Sequence, residues 1–273
     1  MRRRLERLLL GQKTYPILAT IATLLLFTAF TLACAPSETT RNISRPVSSW
    51  NDNFIYAYDP PQDSGVNSVK VTLAVVSPYY PEQSINKDFK KVAKGLAKSF
   101  ATDLDKIIVA RGMTVTGSFD SLDMMTYPDK KNSDLSLTPE FLIEVQTRDL
   151  TRWAIKQGSA EKEVEVKLFG AVILVLREPL SSEKIWIKKI PVDELVERAT
   201  VIAQAVPVYI TSSVIPDSYQ IGQVEFDGSQ DAVANMLKKI YPSMMDTVWR
   251  YLEPEELVML KEKGKEIRVL KRY

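Results

Sequence analysis

The most reactive side chain in this sequence is also unique in it: Cys34 is the only cysteine. It closes a leader that starts with Arg2, Arg3, Arg4 and Arg7 and then runs 21 residues without a charge, from Thr14 to Cys34, ending Thr28-Ala-Phe-Thr-Leu-Ala-Cys34. A basic start, an apolar middle and a small residue at the cut position are what a secretory signal requires. A thiolate held at a membrane interface can take acyl chains. Each buried CH₂ contributes about 0.8 kcal/mol, so two or three chains anchor a soluble domain. Cleavage after Ala33 and lipidation of Cys34 are therefore expected, although Thr31 and Leu32 depart from the usual residues before such a cysteine. Two alternatives stay open: an uncleaved single-pass helix of the inner membrane, since about 20 apolar residues span a bilayer, and an ordinary signal with an unmodified cysteine.

What the chain lacks narrows the chemistry further. Its 273 residues include no histidine, which removes the commonest general base, the commonest metal ligand and every His-dependent triad. No Gly-x-Ser-x-Gly elbow places a nucleophile. No enzyme, no cofactor and no metal site is expected. With no second cysteine there is no internal disulfide, so burial must hold the fold. The formal charge of +2 is carried by the leader; beyond residue 33 the chain has 31 basic against 33 acidic side chains, and no nucleic-acid partner is implied.

Any binding residues must be positioned by the elements that follow. Residues 34–67 are rich in Ser, Asn, Pro and Asp and read as the lipidated start and a flexible tether. Within it Phe54, Tyr56 and Tyr58 alternate as on an edge strand. A globular domain is expected over 68–253, and a short helix with a basic, solvated tail over 254–273. The β-branched run at 69–76 predicts a strand buried on both faces, and helical spacing of Phe89, Val92, Leu96, Phe100, Leu104 and Ile107 predicts a helix over 86–110. Its lysines, Lys87, Lys90, Lys91, Lys94 and Lys98, read as a solvated face or, less simply, a face for anionic lipid.

Strands are predicted at 113–119, 141–146, 161–176 and 184–190, with a polar loop over 120–138. Residues 192–199 look helical, and 199–216 is an uncharged stretch that is either buried or offered to a partner or membrane. A helix after Gly228, with Ser229 as its cap and a kink or break near Pro242, covers the sheet. The fold class is α/β (α+β): a mixed, largely antiparallel sheet of about five strands, with a cross-over helix and a C-terminal helix packed on one face.

This order of elements resembles the neuraminyllactose-binding haemagglutinin family, the flagellar-sheath adhesin-like lipoproteins of Helicobacter. The matching stretches are Val71-Thr-Leu-Ala-Val-Val-Ser-Pro-Tyr, Ile85-Asn-Lys-Asp-Phe-Lys-Lys with the helix up to Arg111-Gly-Met, and Ser229-Gln-Asp-Ala-Val-Ala-Asn-Met-Leu-Lys-Lys-Ile-Tyr-Pro-Ser-Met-Met. The resemblance implies a lipoprotein of the outer membrane or flagellar sheath, attached through Cys34. Its partners would be envelope or sheath proteins and, as an adhesin, host sialylated glycans. The adhesins' basic sialic-acid segment corresponds here to Arg148-Asp-Leu-Thr-Arg-Trp-Ala-Ile-Lys156, which keeps Arg152 and Lys156 but not the dense basic run. A sialate site needs a cation for the carboxylate and an aromatic face for the ring. Arg152, Trp153 and Lys156 supply these types; the plainer reading is a solvated element end with Trp153 tucked inward.

Overall fold

The structure is a computed structural model that describes residues 54–61, 65, 68–80, 89–156, 158–209, 216 and 218–272. The leader, Cys34 and the choice between lipid anchor and membrane helix lie outside the described residues, as do 81–88 of the resemblance. Among the described residues no helix is long and apolar enough to cross a membrane.

Seven strands form one curled sheet. They are β1 (Thr72–Val76), β2 (Thr114–Phe119), β3 (Leu135–Asp149), β4 (Ala154–Lys156), β5 (Ser159–Arg177), β6 (Lys184–Val208) and β7 (Ser218–Asp227). The order is β2-β1-β3-β5-β6-β7, with β4 also paired to β5. β1 is parallel to β2 and β3; every other pairing is antiparallel. The fold class is therefore as expected, with β4 and β7 added.

β1 reads as almost wholly apolar because both its faces are covered. Leu73 and Val75 point into the helix-covered core, and Ala74 and Val76 are buried on the other face. There α2 (Tyr127–Asn132) packs on β1, started by a capping box in which Thr126 and Asp129 satisfy each other's amides. This corrects the expectation of loop over 120–138, which also contains a 3-10 turn at Leu122–Met124 and the start of β3.

The cross-over helix α1 (Lys90–Ala110) buries Val92, Leu96, Phe100, Leu104, Ile107 and Ile108. It stops at Gly112, whose φ of 79° suits glycine and whose amide closes onto Val109 O at 2.9 Å. Alongside lies α3 (Ser229–Tyr251). Tyr241 meets Asp103 and Arg111 meets the carbonyl of Trp249, so the two helices run in the same direction over the same face of the sheet. α3 continues through Pro242 without a break, because its apolar stripe is held down on both sides of the missing amide. Its start is also not as expected: Gly228 is the cap residue, and the Asp227 carboxylate, not Ser229, receives an end amide, that of Ser229, at 2.9 Å.

The last helix, α4 (Pro254–Lys271), begins with proline in the first turn as expected but is 18 residues long, not a short helix with a frayed tail. Its buried Gly264 lies against the start of β3, where even a Cβ would make ordinary contact, 3.6 Å from Asp134 O. Asp134 accepts from Thr72 N and from Lys261, both at 2.9 Å. The buried Glu178 carboxylate takes the Arg268 guanidinium at 2.7 Å and the amides of Leu180 and Ser181. Arg268 also reaches Ser133 O at 2.6 Å. Burial by itself would raise the Glu178 carboxyl, but these amide and guanidinium donors outweigh it and hold it below the ordinary glutamate range.

The largest correction is at 192–199. These residues are not helical; they continue β6, which runs 25 residues. Glutamate, leucine and arginine favour a helix locally, but β5 offers these residues an antiparallel partner from Val164 to Gly170, and tertiary pairing overrides propensity. Phe54, Tyr56 and Tyr58 form no strand either. Residues 54–61 are an irregular strap over α1 and α3, with Tyr56 and Tyr58 buried.

Candidate binding surface

Of the expected glycan residues, Arg152 and Trp153 stand on the corner between β3 and β4, and Lys156 ends β4. Leu150 N and Thr151 N both reach Glu163 O, at 2.9 and 3.3 Å, and Glu163 N returns a bond to Thr151 Oγ1 at 2.9 Å, so the corner is firmly pinned to β5. Trp153 is half-buried against the core. One face of its ring is taken by Lys162, whose Nζ lies 4.9 Å from the ring centroid and 2.7 Å from Asp149. Lys156 is engaged with Glu161 at 2.8 Å, and Arg148 lies 3.3 Å from Glu165. Arg152 alone of the three expected residues is exposed with no polar partner among the described residues. The structure thus places Arg152 and Trp153 in the corner and Lys156 at the far end of β4, and of the three only Arg152 lacks a polar partner among the described residues.

The lysine face of α1 forms one wall of a groove of about 690 Å³, whose other wall is the strap at 54–57. Lys94, Lys98 and Thr102 line it, and Lys106 is tied to Asp103 at 2.7 Å. The strap crosses where α1 has Gly95: a Cβ there would fall 2.7 Å from the Phe54 carbonyl oxygen. Tyr56 N bonds Ser99 Oγ at 3.0 Å, and Tyr58 OH bonds Asp246 at 2.7 Å. Burial, then the Asp246 carboxylate, push the Tyr58 hydroxyl up to about 12. Tyr241 is likewise raised, by burial first and then by its bond to the buried Asp103. The signal for that pair is in the sequence: Asp103 falls on the apolar stripe of α1, between Phe100 and Ile107, where a carboxylate needs a partner.

Ser-x-x-Lys spacing, which can pair a hydroxyl with an amine base, occurs at Ser84, Ser159 and Ser181 and was not among the expectations. Ser84 lies outside the described residues. Ser159 and Lys162 stand on strand β5, where residues three apart point to opposite faces. Ser181 Oγ accepts Glu183 N at 3.3 Å in the turn before β6, and Lys184 lies 3.8 Å from Glu140.

At the far end of the sheet the pattern inverts. Val206, Tyr209, Ile221 and Val224 are exposed on β6, just after it, and on β7. Surface charges elsewhere are largely matched across strands, as in Lys167 with Glu194 and Arg177 with Glu140.

These elements define a mixed α/β fold with a largely antiparallel sheet. The same fold occurs in a crystal structure described as a neuraminyllactose-binding hemagglutinin homolog from Helicobacter pylori. The likeness covers 78% of this chain and 98% of that one, at 16% identity and a TM-score of 0.50. Two further structures align over less: a minor lipoprotein from Acinetobacter baumannii (10% identity, 68% of this chain and 94% of that one) and lipoprotein GNA1162 from Neisseria meningitidis (14%, 49% and 83%). Their TM-scores of 0.26 and 0.22 are too low to carry a shared fold. No family model and no curated protein matches the chain.

Proposed function

We propose that the chain is a lipid-anchored binding or scaffold module of the bacterial envelope, held through Cys34 at the outer membrane or in a flagellar sheath and working by contact rather than turnover. The observation that supports it best is the set of apolar side chains left exposed on several elements, Val206 and Val224 on the last two strands and Met259, Val269 and Leu270 on α4, on a body whose charges include cross-strand pairs such as Lys167 with Glu194. The leader, the lack of histidine and the fold shared with the H. pylori protein agree with that reading. Metabolic labelling with a radioactive fatty acid tests the anchor: label is expected in wild type and lost in Cys34→Ala, and equal labelling overturns it. Cross-linking of intact envelopes followed by pull-down tests the module, with a discrete envelope-protein partner expected and recovery of the chain alone counting against it.

A second reading is an adhesin for sialylated glycans, favoured by the exposed Arg152, which precedes Trp153 in the chain and has no polar partner among the described residues, and by the name of the H. pylori protein. Sialyllactose binding that is lost in Arg152→Ala and Trp153→Ala but kept in Lys167→Ala supports it. No saturable binding by the wild-type chain sets it aside.

A further inference from the structure

We propose that the groove between α1 and the strap at 54–57 is a docking site for the phosphate headgroups of anionic phospholipids, with Lys94 and Lys98 as the residues that grip them. From Lys90 to Thr102 the helix carries four lysines and no acid. Lys90, Lys94 and Lys98 follow one another at four-residue spacing, so they stand on one face and repel along it. All three are exposed, with no partner for their amines among the described residues. α1 also opens on Lys90 and Lys91 with no acid in its first turn, whereas α4 opens on Glu255 and Glu256 and closes on Arg268 and Lys271. The helix dipole favours the α4 arrangement, so the lysine row works against the helix that carries it. A bound anion offsets both costs.

The lysines of β4 and β5, by contrast, are neutralised: Lys156, Lys162 and Lys167 each meet a carboxylate, at 2.8, 2.7 and 3.1 Å. The one acid lining the groove among the described residues, Asp103, is already held by Lys106 at 2.7 Å and by Tyr241 OH at 2.8 Å. Asp59 of the strap also acts on Lys106 by its charge. Beyond residue 33 the chain has 31 basic against 33 acidic side chains, so the row is a local feature and not a reflection of overall charge.

The opposite wall selects a lipid over a soluble anion. It is apolar: Phe54, Ile55 and Ala57 line it, and Ile55 is 73% exposed. Cations on one side and a bare aliphatic side chain on the other match the boundary layer of a bilayer, where lysines meet phosphate and apolar side chains meet the acyl chains. Position in the chain agrees. Only residues 35–53 separate Phe54 from Cys34, at most about 70 Å of polypeptide, so an anchored chain keeps the groove within reach of its own membrane. At about 690 Å³ the groove has room for a headgroup.

The inference deepens the proposed function and rests on the chain being held at a membrane through Cys34. The test uses the full chain, purified in detergent and reconstituted into vesicles of phosphatidylethanolamine and phosphatidylglycerol. A photo-reactive benzoylphenylalanine replaces Ile55 or, as a control of similar exposure, Val269 on α4. After irradiation, phospholipid adducts read by mass are expected at Ile55 well above the yield at Val269. Lys94→Gln combined with Lys98→Gln should lower the Ile55 yield about tenfold, the scale set by two lysines at an anionic surface, and vesicles of phosphatidylcholine should do the same. Lys94→Arg combined with Lys98→Arg should keep it, and far-ultraviolet dichroism verifies that each variant is folded. An Ile55 yield equal to that at Val269, or one unchanged by the glutamine pair or by phosphatidylcholine, overturns the inference. Saturable binding of free glycerol phosphate without adducts on vesicles makes the ligand a soluble anion and overturns it too. A chain that floats with the vesicles but fails these tests leaves the anchor standing; a chain that does not float overturns both.

Discussion

The two ends of the sheet are built on opposite principles. At the α4 end three strand ends are tied by charged groups: Asp134 to Thr72 and Lys261, Glu178 to Arg268 and two amides, and Trp186 Nε1 to Glu256 at 2.7 Å. At the β6–β7 end charge is nearly absent from the sequence. Both ends expose apolar side chains, Val269 and Leu270 on α4 and Val206 and Val224 on the last two strands, so what separates them is the ionic tying and not the bare apolar surface.

Substitutions at four positions break or sharpen that contrast. The largest effect is expected in the shared core. Phe141, fully buried with its ring 5.1 Å from Phe100 and 4.9 Å from Tyr80, should lose about 3–5 kcal/mol of stability as Phe141→Ala in urea unfolding. A loss under about 1 kcal/mol would mean that the core is not packed as described.

At the tied end, Glu178→Ala strands Arg268 and should cost about 3 kcal/mol. The carboxyl's pKa is lowered by folding from its ordinary 4.5. Its contribution is thus complete above about pH 4.5 and is lost as acidification passes down through the folded value. Glu178→Gln should be less stable than wild type at pH 7, with the gap narrowing as pH falls below that point; a gap constant with pH would refute the linkage.

Between the ends, Gly170 sits at the bulge of β5 with φ of 138°, where a Cβ would lie 2.0 Å from Leu142 O. Gly170→Ala should cost at least about 2 kcal/mol, measured by the same unfolding curves, and a neutral result would show that the bulge can relax. The smallest effect is expected at the β6–β7 end: Val206→Asp should change stability by under about 0.5 kcal/mol. A large loss there would place Val206 in the core and erase the contrast.

Much of the scaffold was legible because its signals are local. The β-branched run of β1, the stripe of α1 and the Gly112 stop each depend on neighbours within a turn or two. The helix expected at 192–199 failed for the opposite reason: what makes Leu195 a strand residue is Leu168, 27 positions away, and no short window contains it. The capping box of α2, Thr126 with Asp129, was readable but was overshadowed by the surrounding polar residues. At the candidate site, the types of Arg152, Trp153 and Lys156 were visible in the sequence. That Lys162 would occupy the Trp153 face and Glu161 the Lys156 amine depended on β4 folding back along β5.

The strap at 54–61 has a mechanical consequence. It grips two helices through Tyr56 on Ser99 and Tyr58 on Asp246 and takes no part in the sheet. A pull arriving from the N-terminal side therefore loads a short side-chain seam before it reaches any backbone ladder. A load from that side would part these few contacts before it reached the strands behind them.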